Sequence, residues 1–166
     1  MNAKDVMTVE PRAVRAVDRL EAAARILWEQ DCGFVPVVDG AGVLVGVLTD
    51  RDLCMAVYTQ GKTLDQLPVA AIMARAPKTC GPDDALATVM QVMQQAQVHR
   101  VPVVDARGVL LGVVGSKDLV RAAAARPAAV DGRKVLETLA QVGAPRRGGR
   151  DFGEPAAARS EERRVG

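Results

Sequence analysis

Aromatic residues are scarce in this sequence, which has one Trp, one Tyr and two Phe among 166 residues. Proteins that bind single-stranded nucleic acids stack bases on several aromatic side chains, so the scarcity argues against that class. Charge does not favour nucleic acid either. Residues 1–126 hold 14 Lys or Arg and 14 Asp or Glu, and the net charge of +2 lies entirely in residues 127–166. Because a neutral body lacks a broad basic face, we expect no nucleic-acid partner.

Histidine and cysteine are also scarce. His99 is the only histidine, which argues against a histidine-based metal site and against a histidine-dependent catalytic triad. The three cysteines, Cys32, Cys54 and Cys80, are odd in number and far apart, so they form neither a disulfide framework nor a CxxC motif. We expect them to be small buried residues. With no nucleophile–base pair and no metal set, we expect no enzymatic activity and no required cofactor.

Long apolar runs are absent as well. No stretch of about 18 uncharged apolar residues occurs, and charge appears at Lys4 and Asp5, where a signal peptide needs an apolar segment. Apolar residues still make up 49% of the chain, which is enough for a hydrophobic core. We therefore expect a soluble, cytoplasmic protein with no membrane partner.

An internal repeat organises the chain. Residues 6–56 align without gaps with residues 72–122, at an offset of 66 and with 17 identities in 51 positions. The longest shared stretch is VPVVD, at 35–39 and 101–105. In each copy, apolar residues follow helical spacing before VPVVD, and a second β-branched run and another helical pattern follow it. We predict an extended piece, a helix, two strands joined by a turn, and a helix in each copy.

The repeat sets the predicted domain boundaries. We place the first repeat at 1–60, a linker at 61–71, the second repeat at 72–125 and a C-terminal tail at 126–166. Within the tail, a short helix is predicted over 131–142. Alternatively, this segment could dock on a dimer partner. The last 23 residues are rich in Arg, Gly, Pro and Ala without periodicity, so we expect them to be disordered. One repeat of about 55 residues buries little surface alone, so we expect the two to pack sheet against sheet.

The ordered motifs resemble a tandem pair of CBS domains, also called a Bateman module. The resemblance rests on DVMT with its weaker counterpart AIMA, on VPVVD in both copies, and on GVLTDRDL with GVVGSKDL. It covers about three quarters of the chain. It implies an α+β fold of two βαββα repeats packed as a pseudo-twofold pair. It also implies two clefts that bind AMP, ADP, ATP or S-adenosylmethionine, a regulatory role in energy sensing, and a homodimer.

The stretch at 46–52 suits a nucleotide on chemical grounds. A strand end lies directly before a helix start, where free backbone N–H groups and the helix dipole favour an anion. Thr49 supplies a hydroxyl, Arg51 supplies charge, and the two oxygens of Asp52 could accept both ribose hydroxyls. The same Thr-x-x-Asp spacing is typical of a capping box, in which the two side chains only stabilise the helix start. Spacing alone leaves both interpretations open.

The resemblance implies that the opposing copy completes this first cleft. The residues implied beside Thr49, Arg51 and Asp52 are Ala70, Arg75, Lys78, Val98, His99 and Arg100. Arg100 or Lys78 beside a phosphate would strengthen binding, because charge-assisted hydrogen bonds are the stronger kind. For both His99 and Arg100, an ordinary solvent-exposed surface position is as good an interpretation as a ligand contact.

The second copy departs from the pattern, because Gly115 stands where the first copy has Thr49. We expect a weaker or empty second cleft. Its implied residues are Cys32, Gly33, Phe34, Ser116, Lys117 and Asp118, with residues 4–9.

These observations favour a regulatory module that senses an adenosine-containing nucleotide and signals to an effector protein. The alternative is a non-catalytic dimeric scaffold whose clefts are vestigial. The methionines Met7, Met73, Met90 and Met93 occupy core-like positions, and Trp28 is expected in the core or at an interface.

Overall fold

The structure, a computed structural model, describes residues 1–145 of the chain. Its strands are β1 (Thr8–Val9), β2 (Val14–Arg15), β3 (Phe34–Val38), β4 (Leu44–Thr49), β5 (Ala74–Arg75), β6 (Arg100–Val104) and β7 (Leu110–Gly115). Its helices are α1 (Leu20–Glu29), α2 (Asp50–Gln60), α3 (Val69–Ile72), α4 (Leu86–Ala96), α5 (Ser116–Ala125) and α6 (Gly132–Val142). A 3₁₀ turn at Ala3–Asp5 precedes β1. The mixed helix and strand order predicted for both repeats is confirmed.

The described residues form two compact units that do not coincide with the repeats. The repeat-1 unit contains Arg12–Asp39 and Val45–Arg75, with one sheet in the order β2-β3-β4-β5. The repeat-2 unit contains Met1–Pro11, Gly40–Leu44 and Ala76–Pro145, with a sheet in the order β1-β7-β6. Each unit therefore includes the extended segment that begins the other repeat in the sequence. We call these the lead segments: β1 belongs to the repeat-2 unit, and β5 belongs to the repeat-1 unit.

The two lead segments pair in the same register. In the repeat-2 unit, β1 runs antiparallel to β7, with Thr8 opposite Val113. In the repeat-1 unit, β5 runs antiparallel to β4, with Ala74 opposite Val47. The offset of 66 that relates the sequences also relates these pairs, so the repeat is structural.

Glycine allows this close pairing of strands. A Cβ placed on Gly112 would lie 2.8 Å from the Thr8 carbonyl oxygen and 2.5 Å from Met7 Sδ. A Cβ on the equivalent Gly46 would lie 3.1 Å from the Ala74 carbonyl oxygen. The glycine shared at positions 46 and 112 is therefore explained by the backbone that passes over it.

Unusual backbone conformations also recur at the offset of 66. Six of the seven described residues with positive φ form three equivalent pairs: Glu10 and Ala76, Asp31 and Gln97, Gly42 and Gly108. The seventh is Gly61, at the C-terminal end of α2. Such conformations cost side-chain-bearing residues free energy, so their recurrence shows that both repeats impose the same chain path.

Each unit has its own apolar core. The repeat-1 core includes Leu20, Val35, Val37, Leu48 and Val69. The repeat-2 core includes Val89, Met93, Val101, Val114 and Leu119. The strand residues come from the VPVVD and GVL stretches, as their β-branched composition predicts.

Helix α6 occupies the segment for which the short helix is predicted. It packs on α4 and α5 and adds Val135 and Val142 to the repeat-2 core. Thr138 is fully buried there, and its hydroxyl accepts a hydrogen bond of 2.8 Å from Gln94 Nε2. This helix has no counterpart after the first repeat, so the two units are not equally covered.

Two expectations need correction, the burial of the cysteines and a core position for Trp28. Of the cysteines, only Cys80 is buried; Cys32 is half-buried and Cys54 is exposed, because Cys54 lies on the outer side of α2. Burial raises the pKa of the Cys80 thiol to about 11. Trp28 is not a core residue, since 89% of it is exposed. The segment predicted as a linker adds buried Leu67 to the repeat-1 core.

Two further expectations concern the ends of the chain and its helices. The predicted disorder of the last 23 residues lies outside the described residues, apart from Ala144 and Pro145. Among residues 1–145, every helix is too short or too polar to cross a membrane.

We expect Gly112→Ala to destabilise the protein, because the new methyl group would meet the Thr8 carbonyl oxygen, which belongs to the backbone and cannot simply rotate away. Overpacking of this kind lowers the free energy of unfolding by about 1–3 kcal/mol, which is a fall of several degrees in Tm. Thermal unfolding measures it. Gly132→Ala is the matched control, since a Cβ there meets no atom within 4 Å. Equal Tm values for the two variants would contradict the close approach.

Candidate functional site

The Thr-x-x-Asp stretch of the first repeat forms a capping box at the start of α2. The Asp52 backbone N–H donates to Thr49 Oγ1 at 3.3 Å, and Asp52 Oδ2 accepts from the Thr49 backbone N–H at 2.9 Å. The Thr49 hydroxyl also donates to Asp52 Oδ2 at 2.7 Å. The capping box that the spacing allows is therefore formed in the structure. A carboxylate has about four lone-pair sites, so the box does not exclude a ligand hydroxyl.

Acidic groups dominate this helix start. Asp50 is exposed, and its Oδ1 accepts a hydrogen bond of 2.7 Å from the Arg51 backbone N–H. Its Oδ2 lies 3.0 Å from where a Cβ on Gly33 would be, so any side chain at position 33 would displace it. The turn before β3 therefore lies directly beside the first turn of α2.

The remaining first-cleft residues of this unit are Ala70, in α3, and Arg75, in β5. Arg75 Nη2 donates to the Ala70 carbonyl oxygen at 3.1 Å, and the Ala70 backbone N–H donates to the Ala16 carbonyl oxygen at 3.0 Å. Arg75 is exposed. These bonds fix the backbone at Ala70 and hold the Arg75 side chain against its own chain.

The second repeat has the same helix-start geometry without the hydroxyl. Asp118 Oδ2 accepts a hydrogen bond of 2.7 Å from the Gly115 backbone N–H, as Asp52 does from Thr49. Asp118 is buried, and its Oδ1 accepts a second bond from Arg121 Nη2, one turn further along α5. The position equivalent to Arg121 in the first repeat is Met55, which cannot make this ion pair.

His99 and Arg100 lie beside the start of α5. The His99 carbonyl oxygen accepts hydrogen bonds from the Ser116 backbone N–H at 2.9 Å and from the Ser116 hydroxyl at 3.2 Å. The His99 ring Nδ1 is 3.3 Å from Ser116 Oγ. Arg100 Cγ lies 3.6 Å from where a Cβ on Gly115 would be. An imidazole and a hydroxyl thus meet at a helix N-terminus, and the aliphatic part of Arg100 runs beside it; an imidazole, a hydroxyl and a guanidinium are donors that suit a phosphate.

A cavity of about 210 Å³ opens beside Asp118 in the repeat-2 unit. Its lining mixes both signs of charge with apolar groups: Met1, Asp5, Val6, Asp118, Arg121, Ala122, Ala125 and Arg126. Because Arg121 both lines the cavity and pairs with Asp118, a ligand hydroxyl must compete with a guanidinium for this carboxylate.

The two units divide the predicted site residues between them. The repeat-1 unit contains Thr49, Arg51, Asp52, Ala70, Arg75, Cys32, Gly33 and Phe34. The repeat-2 unit contains Lys78, Val98, His99, Arg100, Ser116, Lys117 and Asp118. Lys78 and Lys117 are exposed, and Phe34 is half-buried at the start of β3. Within its own unit, each strand start lies beside its own helix start. Joint action of residues from opposing copies stays a prediction.

Sequence reasoning missed two neighbours of the site. Arg121 was detectable, because its spacing of three from Asp118 on a helix is that of a local ion pair. The approach of Asp50 to Gly33 gave no signal, since 17 residues separate them and only the fold brings them together. Among residues 1–145, no group of three or more His, Cys, Asp or Glu could hold a metal ion.

Comparisons with known proteins agree with the repeat. A family model described as the CBS domain matches the chain twice, at residues 3–59 and 69–125. The CBS domain-containing protein YhcV of Bacillus subtilis is 35% identical over 116 residues, which are 70% of this chain and 81% of that protein. The homoserine O-acetyltransferase of Methanococcoides burtonii is 31% identical over 117 residues, but these are 70% of this chain and only 23% of that enzyme.

Two solved structures with similar folds contain adenosine compounds. CBSX2 in complex with AMP has a TM-score of 0.66 and 27% identity, over 75% of this chain and 96% of that chain. The CBS domain pair of MJ0100, in complex with 5-methylthioadenosine and S-adenosyl-L-methionine, has a TM-score of 0.68 and 28% identity. That match covers 76% of this chain and 98% of the other.

We expect Thr49→Ala to lower the free energy of unfolding by about 1 kcal/mol, because it removes the side chain that caps α2. Thr49→Ser keeps the hydroxyl and Thr49→Gly introduces the residue that the second repeat uses, so each should cost only a few tenths of a kcal/mol. Urea unfolding followed by circular dichroism measures all three. If alanine were as well tolerated as serine, the cap would not stabilise α2.

Proposed function

Since this chain belongs to the CBS domain family, as a tandem pair at residues 3–59 and 69–125, we propose that it is a regulatory module that binds an adenosine-containing nucleotide and signals to a partner protein. We assign the ribose to Thr49 and Asp52, and the phosphate to His99 and Arg100. The proposed first site is completed by Arg51, Ala70, Arg75, Lys78 and Val98.

The observation that supports the proposal is the pair of phosphate donors at His99 and Arg100. Arg100 is partly buried, and the His99 carbonyl oxygen accepts hydrogen bonds from Ser116 N and Oγ, so the backbone that carries the pair is ordered by the fold. A guanidinium and an imidazole are suited to an anion, and together they favour AMP, ADP or ATP. They disfavour S-adenosylmethionine, whose sulfonium centre would meet the Arg100 guanidinium. Adenosine is the part common to the ligands named in the two similar complexes.

A specific observation favours one site over two. Asp118 is buried and is paired with Arg121, whereas Asp52 has Met55 at the corresponding position. We propose that the second site, with Cys32, Gly33, Phe34, Ser116, Lys117 and Asp118, is the weaker one.

The capping boxes supply the observation behind a second candidate function. Both carboxylates hold the start of a helix, so a purely structural role accounts for their presence in both repeats. In that case the protein is a non-catalytic scaffold with vestigial clefts. The two candidates differ in one measurable property, which is the binding of a nucleotide.

We further propose that the module acts as a homodimer, in the cytoplasm, through an effector protein rather than by catalysis. In the relative named as an acetyltransferase, the matched region is a minor part of a longer chain. This supports a regulatory rather than a catalytic role for the same region here.

We expect AMP to raise Tm by several degrees, because a ligand at about 100 times its dissociation constant adds about 2.7 kcal/mol to the free energy of unfolding. Thermal unfolding with AMP, ADP, ATP and S-adenosylmethionine in turn measures it. Asp52→Asn should remove most of the shift, because an amide accepts fewer ribose hydrogen bonds than a carboxylate.

Asp118→Asn is the matched control, since it makes the same change at the equivalent position of the second repeat. It should leave the AMP shift largely intact. No shift with any nucleotide, in folded protein free of co-purified ligand, would reject the sensor and leave the scaffold.

We expect Arg121→Met to strengthen the second site, because it removes the guanidinium that holds Asp118 and installs the residue found at position 55. Calorimetric titration with AMP should then change from one nucleotide per chain toward two. The control is Arg126→Met, which removes a charge from the same cavity without touching that ion pair. An unchanged stoichiometry in Arg121→Met would mean that Gly115, and not Arg121, disables the second site.

A further inference from the structure

The cavity beside α5 is distinct in size and lining from the two proposed nucleotide sites. Of the residues assigned to those sites, only Asp118 lines it; Asp5 and Val6 come from the segment 4–9 that the resemblance places beside the second cleft. The cavity measures about 210 Å³. Pockets for drug-sized ligands measure about 300–1,000 Å³, and a cavity of about 150 Å³ holds benzene. This volume therefore suits a molecule smaller than a whole nucleotide.

Two walls, each anchored by the fold of the repeat-2 unit, form the cavity. One wall is the 3₁₀ turn Ala3–Asp5, in which the Ala3 backbone N–H donates to the Asp84 carbonyl oxygen at 2.9 Å. The other wall is α5, where the Arg126 carbonyl oxygen accepts from the Val130 backbone N–H at 3.0 Å. Val130 is buried in the repeat-2 core, so the end of α5 is held in place.

The charged groups of the lining leave one cation and one anion for a ligand. Asp118 and Arg121 pair with each other. Arg126 is exposed, and its guanidinium forms no ion pair with any of residues 1–145. Asp5 is exposed as well, and the Asn2 backbone N–H donates only to its Oδ2, at 2.7 Å. A guanidinium and a carboxylate thus line the cavity with hydrogen-bonding capacity to spare.

The rest of the lining is apolar. Met1 and Val6 are half-buried, and Ala122 and Ala125 lie on the same side of α5 as Asp118, at spacings of four and seven residues. The two alanine side chains are small, so they leave room for an apolar group of a ligand.

The first repeat shows that the fold does not require these charges. At the offset of 66, Gln60 corresponds to Arg126, and Ala71 corresponds to Asp5. Neither equivalent residue is charged, although both repeats build the same helices and lead segments. The cation and the anion are therefore a property of the repeat-2 cavity and not of the shared framework.

We propose that this cavity binds a small α-amino acid with an apolar side chain. Arg126 holds the carboxylate, Asp5 holds the ammonium group, and the side chain lies on Val6, Ala122 and Ala125. A zwitterion meets both unpaired charges, whereas a simple anion would leave the Asp5 carboxylate without a partner. The proposal goes beyond the nucleotide site and does not depend on it, because its ligand is of another class.

L-Leucine is the probe, and NMR of the isotope-labelled full chain is the measurement. We expect the backbone amide signals of Val6, Ala122 and Ala125 to move saturably as L-leucine is added. Glycine lacks the apolar side chain, and 4-methylpentanoate lacks the ammonium group. Each should bind at least about tenfold more weakly than L-leucine, because each loses one kind of contact.

Two charge variants test the assigned roles. Arg126→Gln should raise the dissociation constant of L-leucine about tenfold or more, as loss of a charge-assisted hydrogen bond does. Arg133→Gln is the matched control and should leave it unchanged, since Arg133 is also exposed but lies on α6, outside the cavity. Asp5→Asn should weaken L-leucine but not 4-methylpentanoate, a difference that a general loss of structure would not produce.

A third variant tests the location. Ala125→Leu keeps every charge of the lining but fills the cavity, so it should abolish the L-leucine shifts. Circular dichroism should show this variant folded.

Four results would overturn the proposal. Cavity signals that stay fixed at tens of millimolar L-leucine would mean that no amino acid binds. L-Leucine shifts that persist in Ala125→Leu would place the ligand elsewhere. Equal affinity for L-leucine and 4-methylpentanoate would leave a site for simple carboxylates. Competition between AMP and L-leucine for the same signals would assign the cavity to the nucleotide. The AMP shift in Tm is measured separately, so failure of the nucleotide proposal would not be mistaken for failure of this one.

Discussion

The close approach of a lead segment to β4 in the repeat-1 unit and to β7 in the repeat-2 unit is the constraint on which both units depend. It requires glycine at positions 46 and 112, because the backbone carbonyl oxygen of the lead segment lies within 3.1 Å of where a Cβ would be. It also requires that each unit recruit its lead segment from the other repeat in the sequence. The two repeats are therefore linked by strand pairing, and neither unit is complete with one copy of the repeat alone.

The common frame carries different chemistry in its two copies. Both repeats place a carboxylate at the third residue of the helix that follows the second strand, and both use it to hold the helix start. Around that shared carboxylate the first repeat has a threonine and a methionine, where the second has a glycine and an arginine. The position beside each helix start differs as well, with Gly33 next to Asp50 and His99 next to Ser116. Duplication preserved the framework, and the chemistry of a site rests on these few substitutions.

Local pattern predicted most of the elements, and distant pairing accounts for what it missed. Helical and strand spacing located α1, α4 and the VPVVD strands because each depends on residues that are neighbours in sequence. The exchange of lead segments joins Thr8 to Val113, 105 positions apart, and Val47 to Ala74, 27 positions apart, and no periodicity in the sequence encodes it. The Thr49 and Asp52 pair and its structural role are both predictable from the sequence, because a capping box is a local motif. The exposure of Trp28 could not be predicted, since the first helix has the same apolar spacing whether or not another surface covers it.

His99 offers the most direct test of the proposed site, because it is the only histidine and its ring Cε1 proton gives one resolved signal in a proton NMR spectrum. Titration of the full chain with AMP should move this signal saturably, and adenosine, which lacks the phosphate, should move it much less. That result would establish that a nucleotide phosphate is bound next to His99. A His99 signal that stays fixed up to millimolar AMP would contradict the account and leave the two repeats as a scaffold.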